Sequence, residues 1–409
     1  QAIEKLPRHN GNPYDGEAYY NLGIAYSYLE RWDEAYDALF KSCWNAAWQD
    51  AAYLELAYID CRRKDYDKAL ENLDHSLARN YHGMKARHLK TVLLRLSGRT
   101  REAAYWARET LRLDAFDFGT CYELIRLAEE AGDSREAASE RGTLEKRARG
   151  WEHSYLEIAI DYAHAGLYPE ALRWLAPVAG SQHPLVHYYL AWYHHRLGDP
   201  VSERRELDRG ASLDADRVFP NRLEDILVLR YVTTERPQDK KALYYLGNLW
   251  YDKRQYPEAV ASWEQSRRLG APLPTVSRNL AIAYFNKLGR ASEALELYEE
   301  AFRGNTGDAR VLFELDQLYK RMSRFPARRL GFLEDHLELV RERDDLYTEY
   351  VTLLNLEGRH GEAEAALAAR KFHPWEGGEG KVSSQYVRTK VALGSRAIGA
   401  KDYPRAVTL

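Results

Sequence analysis

Cysteine is scarce: Cys43, Cys61 and Cys121 are the three in a chain of 409 residues. They form no close pairing motif, and an odd number argues against a disulfide framework, so a reducing, cytoplasmic setting is expected. Long apolar runs are missing too. No uninterrupted stretch approaches the roughly 20 residues that cross a bilayer, and the opening QAIEKLPRHN lacks the basic-then-apolar plan of a signal peptide. No membrane partner is expected. Neither sign of charge is in excess. With 59 Lys and Arg against 62 Asp and Glu, the net charge is −3, which supplies no general positive field for a phosphate backbone and excludes nucleic acid as a general partner. The catalytic signatures are absent as well: there is no HEXXH, no Gly-rich phosphate loop, no serine elbow and no Cys/His arrangement. No catalysis and no cofactor are expected of this chain alone.

What is present is a biased supply of apolar surface. Hydrophobic residues make up 45%, and the aromatics are 30 Tyr and 10 Trp against 10 Phe. Such amphipathic rings suit helices that pack on one side and meet solvent or ligand on the other. The chain also repeats itself. In AYYNLGIAYSYLERWDEAYDALFKS, Leu22, Gly23 and Tyr26 are followed by Ala35 and Leu39; about 34 residues later Leu56, Ala57 and Ala69 recur in the same places. Clear copies follow at Ile158, Ala159, Tyr162 and Ala171, at Leu190 and Ala191, at Leu246, Gly247, Trp250, Ala259 and Trp263, and at Leu280, Ala281, Tyr284, Ala294 and Ala301. Fainter ones surround Leu315 and Tyr319, and Gly358 and Ala363, while Gly98 to Ala103 and Gly132 to Ala137 keep only the turn glycine and the following alanine.

This small-and-large plan, with apolar stripes at i, i+3, i+4 and i+7, resembles that of tetratricopeptide (TPR) repeats, each a helix-turn-helix whose stripe is covered by the next copy. The fold expected is an all-α, TPR-type α-solenoid, a right-handed superhelix of about ten or eleven units. Residues 1–215 read as one array and 239–370 as another. Between them 216–238, bracketed by Pro220 and Pro237, adds a helix out of step with the repeat. The stretch 371–385 is too Gly-rich for a helix and reads as a surface loop. Residues 386–409 begin a final unit that stops within its second helix without a polar capping helix, which suggests a fragment of a longer protein.

From about Val218 to Leu393 the chain further resembles a bacterial family of large proteins that place a β-rich, sugar-enzyme-like region before a TPR array. The residues that carry this are KALYYLGNLWYDKRQYPEAV, RNLAIAYFNK, FELDQLYKR, RDDLYTEYVTLLN and FHPWEGGEG. The resemblance implies a role near carbohydrate metabolism and a β-rich domain elsewhere in the same chain.

The TPR resemblance also implies a concave groove lined by the first helix of each unit, at its second, fifth, ninth, twelfth and thirteenth places. These select Tyr244, Asn248, Tyr251 and Asp252, then Arg278, Phe285 and Asn286, then Arg310, Phe313, Gln317, Lys320 and Arg321. Aromatics mixed with Arg, Lys, Asn and Gln suit a peptide carboxylate or a sugar face. The match to the peptide-carboxylate clamps of chaperone-binding TPR proteins is partial, since Tyr244 stands where a Lys is usual. Upstream, Tyr188, Trp192, His195 and Arg196 occupy groove places. His183 and His187, four apart, share a helical face, but no third metal ligand has convincing spacing, and they read as packing histidines. In the Gly-rich stretch, His373, Trp375 and Glu376 are candidate binding residues, with Trp375 the expected anchor of the loop. Three readings follow: a scaffold that holds a protein or peptide segment, or a domain of its own chain, on its concave face; the helical part of a carbohydrate-active enzyme whose sugar site is completed elsewhere; or an architectural spacer that self-associates through the uncapped end near Leu409.

Overall fold

The computed structural model describes residues 15–270 and 273–409. Among them are 24 helices and no strand, and the chain divides into two compact units. The first comprises residues up to 218 together with 222–235; the second comprises 219–221 and 236–409.

In the first unit the helices are α1 (Glu17–Tyr28), α2 (Trp32–Ser42), α3 (Gln49–Arg62), α4 (Tyr66–Arg79), α5 (Met84–Leu96), α6 (Thr100–Leu113), α7 (Phe118–Glu130), α8 (Ser134–Ala148), α9 (Glu152–His164), α10 (Tyr168–Leu175), α11 (Pro184–Leu197), α12 (Pro200–Ser212) and α13 (Leu223–Glu235). From α1 to α12 they pack as successive hairpins. The single helix of the out-of-step segment, α13, rests on α11 within this unit. The second unit holds α14 (Lys240–Asp252), α15 (Tyr256–Arg268), α16 (Pro274–Leu288), α17 (Ala291–Gly304), α18 (Ala309–Arg321), α19 (Pro326–Glu334), the short α20 (Leu337–Val340), α21 (Asp344–Leu356), α22 (His360–Ala368), α23 (Lys381–Gly399) and α24 (Tyr403–Thr408). Apart from α20 these again pair in chain order. The fold is an all-α, TPR-type solenoid.

The repeated small residues explain the pairing. Ala35, Ala69, Ala103 and Ala171 are fully buried where the second helix of a hairpin crosses the first. The Cα of Gly23 presses on Leu39 and that of Gly247 on Trp263, so closely that a Cβ at Gly247 would sit 2.4 Å from Trp263 Cδ1. Aspartates begin many helices: Asp65, Asp117, Asp133, Asp199, Asp239 and Asp308 each accept a bond from a first-turn backbone N–H. The faint copies keep their glycines because Gly98 and Gly132 turn the chain at φ +73° and +75°.

Charge replaces apolar packing where the repeat is worn. Around α5 and α7, buried Arg95 donates to Glu123 at 2.6 Å, Glu130 at 2.9 Å and Glu170 at 3.3 Å, and Tyr162 donates to Glu123 at 2.6 Å. In α19, Arg329 stands where neighbouring units have the crossing alanine. Its guanidinium is 4% exposed and is held by both oxygens of Asp316, at 3.0 and 2.7 Å, and by Glu349 at 2.7 Å.

The Gly-rich stretch is shorter than its composition implies. It is irregular only to Gly380, and KVSSQ, which has no glycine, already forms the first turns of α23. Its anchor is also different. Phe372, not Trp375, packs on the core beside Tyr347. Trp375 instead folds over its own loop, against a Gly378 whose missing side chain makes room for the ring.

Candidate functional site

The groove places of the second unit converge in part. Arg278, Phe285 and Asn286 on α16 face Arg310, Phe313 and Gln317 on α18 across an open cleft of about 370 Å³. Ile282 and Leu318 form its floor, Tyr298 of α17 closes one side, and Arg321 stands at the rim. Both phenyl rings are half-buried, and a guanidinium lies over each: Arg321 is 5.4 Å from the centre of Phe285, and Arg343 is 5.7 Å from that of Phe313.

The organising residue of this cleft is Glu314, which the groove rule does not select. Arg278 grips it with two bonds, of 2.7 and 2.5 Å, and Arg310 adds a third at 3.2 Å. Burial works against the Arg278 cation, but Glu314 outweighs it and raises the guanidinium further above its ordinary value. Burial and the same carboxylate raise the Tyr298 hydroxyl. The arginine expected to clamp a ligand carboxylate therefore already holds an internal one. Two arginines on one carboxylate leave a positive charge in excess, and Arg321 has no ion-pair partner among the described residues. The Arg310–Glu314 spacing, i to i+4, was the available sequence signal; Tyr298 had none, because it comes from the second helix of its unit.

The other selected residues lie outside the cleft. Asn248 ties three helices together, its Oδ1 accepting from Trp263 Nε1 at 3.1 Å and from Asn279 Nδ2 at 3.0 Å. Tyr251 packs on Tyr256 and Trp263, and Tyr244 on Tyr245. Lys320 is drawn into the Arg329 cluster, donating to Glu349 at 2.8 Å. Burial would raise the Glu349 carboxyl, but Lys320 and Arg329 together lower it. His373 caps Asp344, which accepts from its backbone N–H at 2.8 Å and also from Arg370 at 2.5 Å. Glu376 is exposed. The loop residues thus do not join the cleft.

Of the upstream groove places, Tyr188 is fully buried, with its ring against Gly210. His187 is engaged on both nitrogens, with Glu206 at 2.8 Å and the Ser181 carbonyl at 2.9 Å. His183 stands at the N-cap position of α11 without a side-chain capping bond and packs edge-on against His153. Among the described residues no three His, Cys, Asp or Glu side chains gather as a metal site would require. Nor is any described helix long and apolar enough to cross a membrane.

No family model matches the chain. Among solved structures it is similar to MamA, at 15% identity over 50% of this chain and 92% of that one, with a TM-score of 0.32. It is similar to YrrB, described as a TPR protein with an unusual peptide-binding site, at 15% identity over 56% of this chain and 97% of that one, with a TM-score of 0.32. Yeast Tom70 is similar along more of the length, 96% of this chain and 90% of that one, at 14% identity and a TM-score of 0.28. The assignment to a TPR-type solenoid rests on this chain's own hairpins, their crossing alanines and their close glycines.

Proposed function

We propose that the chain is a non-catalytic binding module whose second unit holds an extended protein or peptide segment in the cleft between α16 and α18. The observation that carries this reading is the Arg278–Glu314–Arg310 cluster beside Phe285 and Phe313. It offers excess positive charge next to two half-buried rings, with Asn286 and Gln317 as hydrogen-bonding groups at the same cleft. A segment that alternates an apolar side chain with a carboxylate meets each of these groups. The internal Glu314 keeps the two arginines ordered when the cleft is empty, which lowers the entropy lost on binding. A sugar-binding role for His373, Trp375 and Glu376 draws no support, since these residues build no shared cleft.

Selection from a displayed random peptide library tests the reading. Enriched peptides should be acidic with at least one large apolar residue, and the double variant Phe285→Ala, Phe313→Ala should weaken them by roughly tenfold or more, the loss expected when aromatic anchors are truncated. The reading fails if no sequence is enriched, or if the enriched peptides bind the double variant unchanged.

A further inference from the structure

The first unit contains a second, more enclosed pocket that no repeat position marks. Residues Ser27, Tyr28, Glu55 and Tyr58 from α1 and α3 face His164, Trp192 and Glu224 from α9, α11 and α13 around a partly enclosed space of about 90 Å³. Nearly every ionisable group in its wall is engaged within the protein. Glu224 accepts from Tyr28 at 2.6 Å and pairs with His164 Nε2 at 3.0 Å. Arg62 donates to the carbonyls of Ala163 and His164, at 2.6 and 2.7 Å, and to the Tyr168 hydroxyl at 3.2 Å. Glu30 takes Arg196 at 2.6 Å.

Glu55 is the charged exception. It has no hydrogen-bond or ion-pair partner among the described residues, although it lines the same space. The Tyr58 hydroxyl likewise has no hydrogen bond among the described residues. The Ser27 hydroxyl, which is buried in that wall, also lacks a partner. Burial pushes the Glu55 carboxyl above its usual range; His164 and Lys85 offset part of this, and Glu224 and Asp161 add to it. Glu55 is half-buried, so its carboxylate has lost part of its hydration without gaining a donor, and a cation in the pocket supplies the missing bonds.

The walls narrow the choice of cation. Tyr28, Tyr58 and Trp192 give a stem of methylenes apolar surface to lie against. The Trp32 ring is already stacked by Arg62, at 4.5 Å, which leaves that face closed to a second planar guanidinium. A compact ammonium with three donors suits one carboxylate and one hydroxyl in a small space. We propose that this pocket receives a lysine side chain from a partner segment, its ammonium donating to Glu55 and Ser27 and its stem packed among the aromatic rings. The site lies wholly within the first unit and shares no residue with the cleft of the second, so either proposal can fail without the other.

The test is a calorimetric titration of the full chain with the pentapeptide Ac-Ala-Ala-Lys-Ala-Ala-amide and its norleucine counterpart, which keeps the four-carbon stem and lacks the ammonium. The lysine peptide should saturate with a millimolar dissociation constant, and the norleucine peptide should bind roughly tenfold more weakly, the loss expected for one charge-assisted bond. Glu55→Gln should bring the lysine peptide down to the norleucine level, while Glu55→Asp keeps the preference for lysine. Hydrogen exchange on the unmodified protein gives a reading that needs no variant: the lysine peptide should slow exchange in 17–28 and 49–62 more than the norleucine peptide does. Equal binding of the two peptides, no saturable heat with either, an unchanged lysine affinity in a folded Glu55→Gln protein, or equal protection by both peptides would each overturn the assignment.

Discussion

The Tyr28 hydroxyl donates to the Glu224 carboxylate at 2.6 Å, a bond between residues 196 positions apart. Through it α1, the first helix among the described residues, touches α13, the last of this unit. Two more contacts run beside it: Arg62 binds the carbonyls at the end of α9, and Arg196 binds Glu30 in the turn between α1 and α2. The hairpins of this unit therefore close on one another across their inner face, and the lysine pocket is the space left inside that closure.

Removing the Tyr28 hydroxyl should loosen the closure. Tyr28→Phe keeps the ring but leaves Glu224 with His164 as its remaining side-chain donor, and a hydrogen bond to a charged group contributes about 1.5–3 kcal/mol. Urea unfolding followed by circular dichroism should show a loss of that order, with faster hydrogen exchange in 17–28 and 223–235. Unchanged stability and exchange would make the contact incidental.

Acid should act on the same contact. Burial alone would raise the Glu224 carboxyl from its ordinary 4.5, but the hydrogen bonds from His164 and Tyr28 prevail and hold it at about 2. A carboxyl depressed in the folded state contributes stability that is complete above the unfolded value and lost as pH falls toward the folded one. The contribution is on the order of 3 kcal/mol and should fade between about pH 4.5 and pH 2. Glu224→Gln should be less stable at neutral pH and show a shallower decline over this interval than the parent protein. Parallel stability curves would refute the assignment.

Two glycines should respond in opposite ways to alanine. At Gly247 an added Cβ meets Trp263, so Gly247→Ala should cost about 1–3 kcal/mol through overpacking. At Gly394, inside α23, no atom lies within 4 Å of the added carbon, and Gly394→Ala should stabilise by about 0.5–1 kcal/mol. Thermal unfolding of the two variants should move in opposite directions.

The buried Arg329 should tolerate removal poorly even though alanine is the residue of the neighbouring repeats. Arg329→Ala leaves Asp316 uncompensated, at a cost of about 3–5 kcal/mol. Burial already raises the Asp316 carboxyl despite Arg329. Combining Arg329→Ala with Asp316→Asn should recover part of the loss, because the stranded charge is then gone. A double variant less stable than the single one would show that the ion pair is not what Arg329 provides.

Asp344 should govern the segment after α22. It accepts from Arg370 and from the backbone of His373, and these bonds hold its carboxyl below the ordinary range against burial. Asp344→Asn should speed tryptic cleavage after Arg370 and Lys371 while the circular dichroism of the helices stays constant. An unchanged cleavage rate would place the anchor at Phe372 alone.

The helical hairpins were legible because their signals are local. An alanine or glycine at a crossing, an aspartate at a helix start and a glycine in a left-handed turn each act within one repeat, as Gly23, Ala69 and Gly98 do. The worn repeats were harder to read because Arg95 and Arg329 put charge in buried places, and charge carries no helical stripe. The cleft was half legible. Phe285, Phe313, Arg278 and Arg310 follow from helical register, whereas Tyr244, Asn248, Tyr251 and Lys320 share that register and are used in packing or ion pairs. Register tells which way a side chain leaves its helix and is silent on whether a neighbour has already taken it.

The amino-acid sequence by itself determined the all-α hairpin and its stacking, since a lone hairpin cannot bury its apolar stripe and the next copy must cover it. Only the tertiary structure decided which inner faces close and which stay open. Small rotations from one hairpin to the next add up along an array. In the first unit that accumulation brings Tyr28 to Glu224 and encloses Glu55; in the second it leaves the rings of Phe285 and Phe313 facing an open cleft.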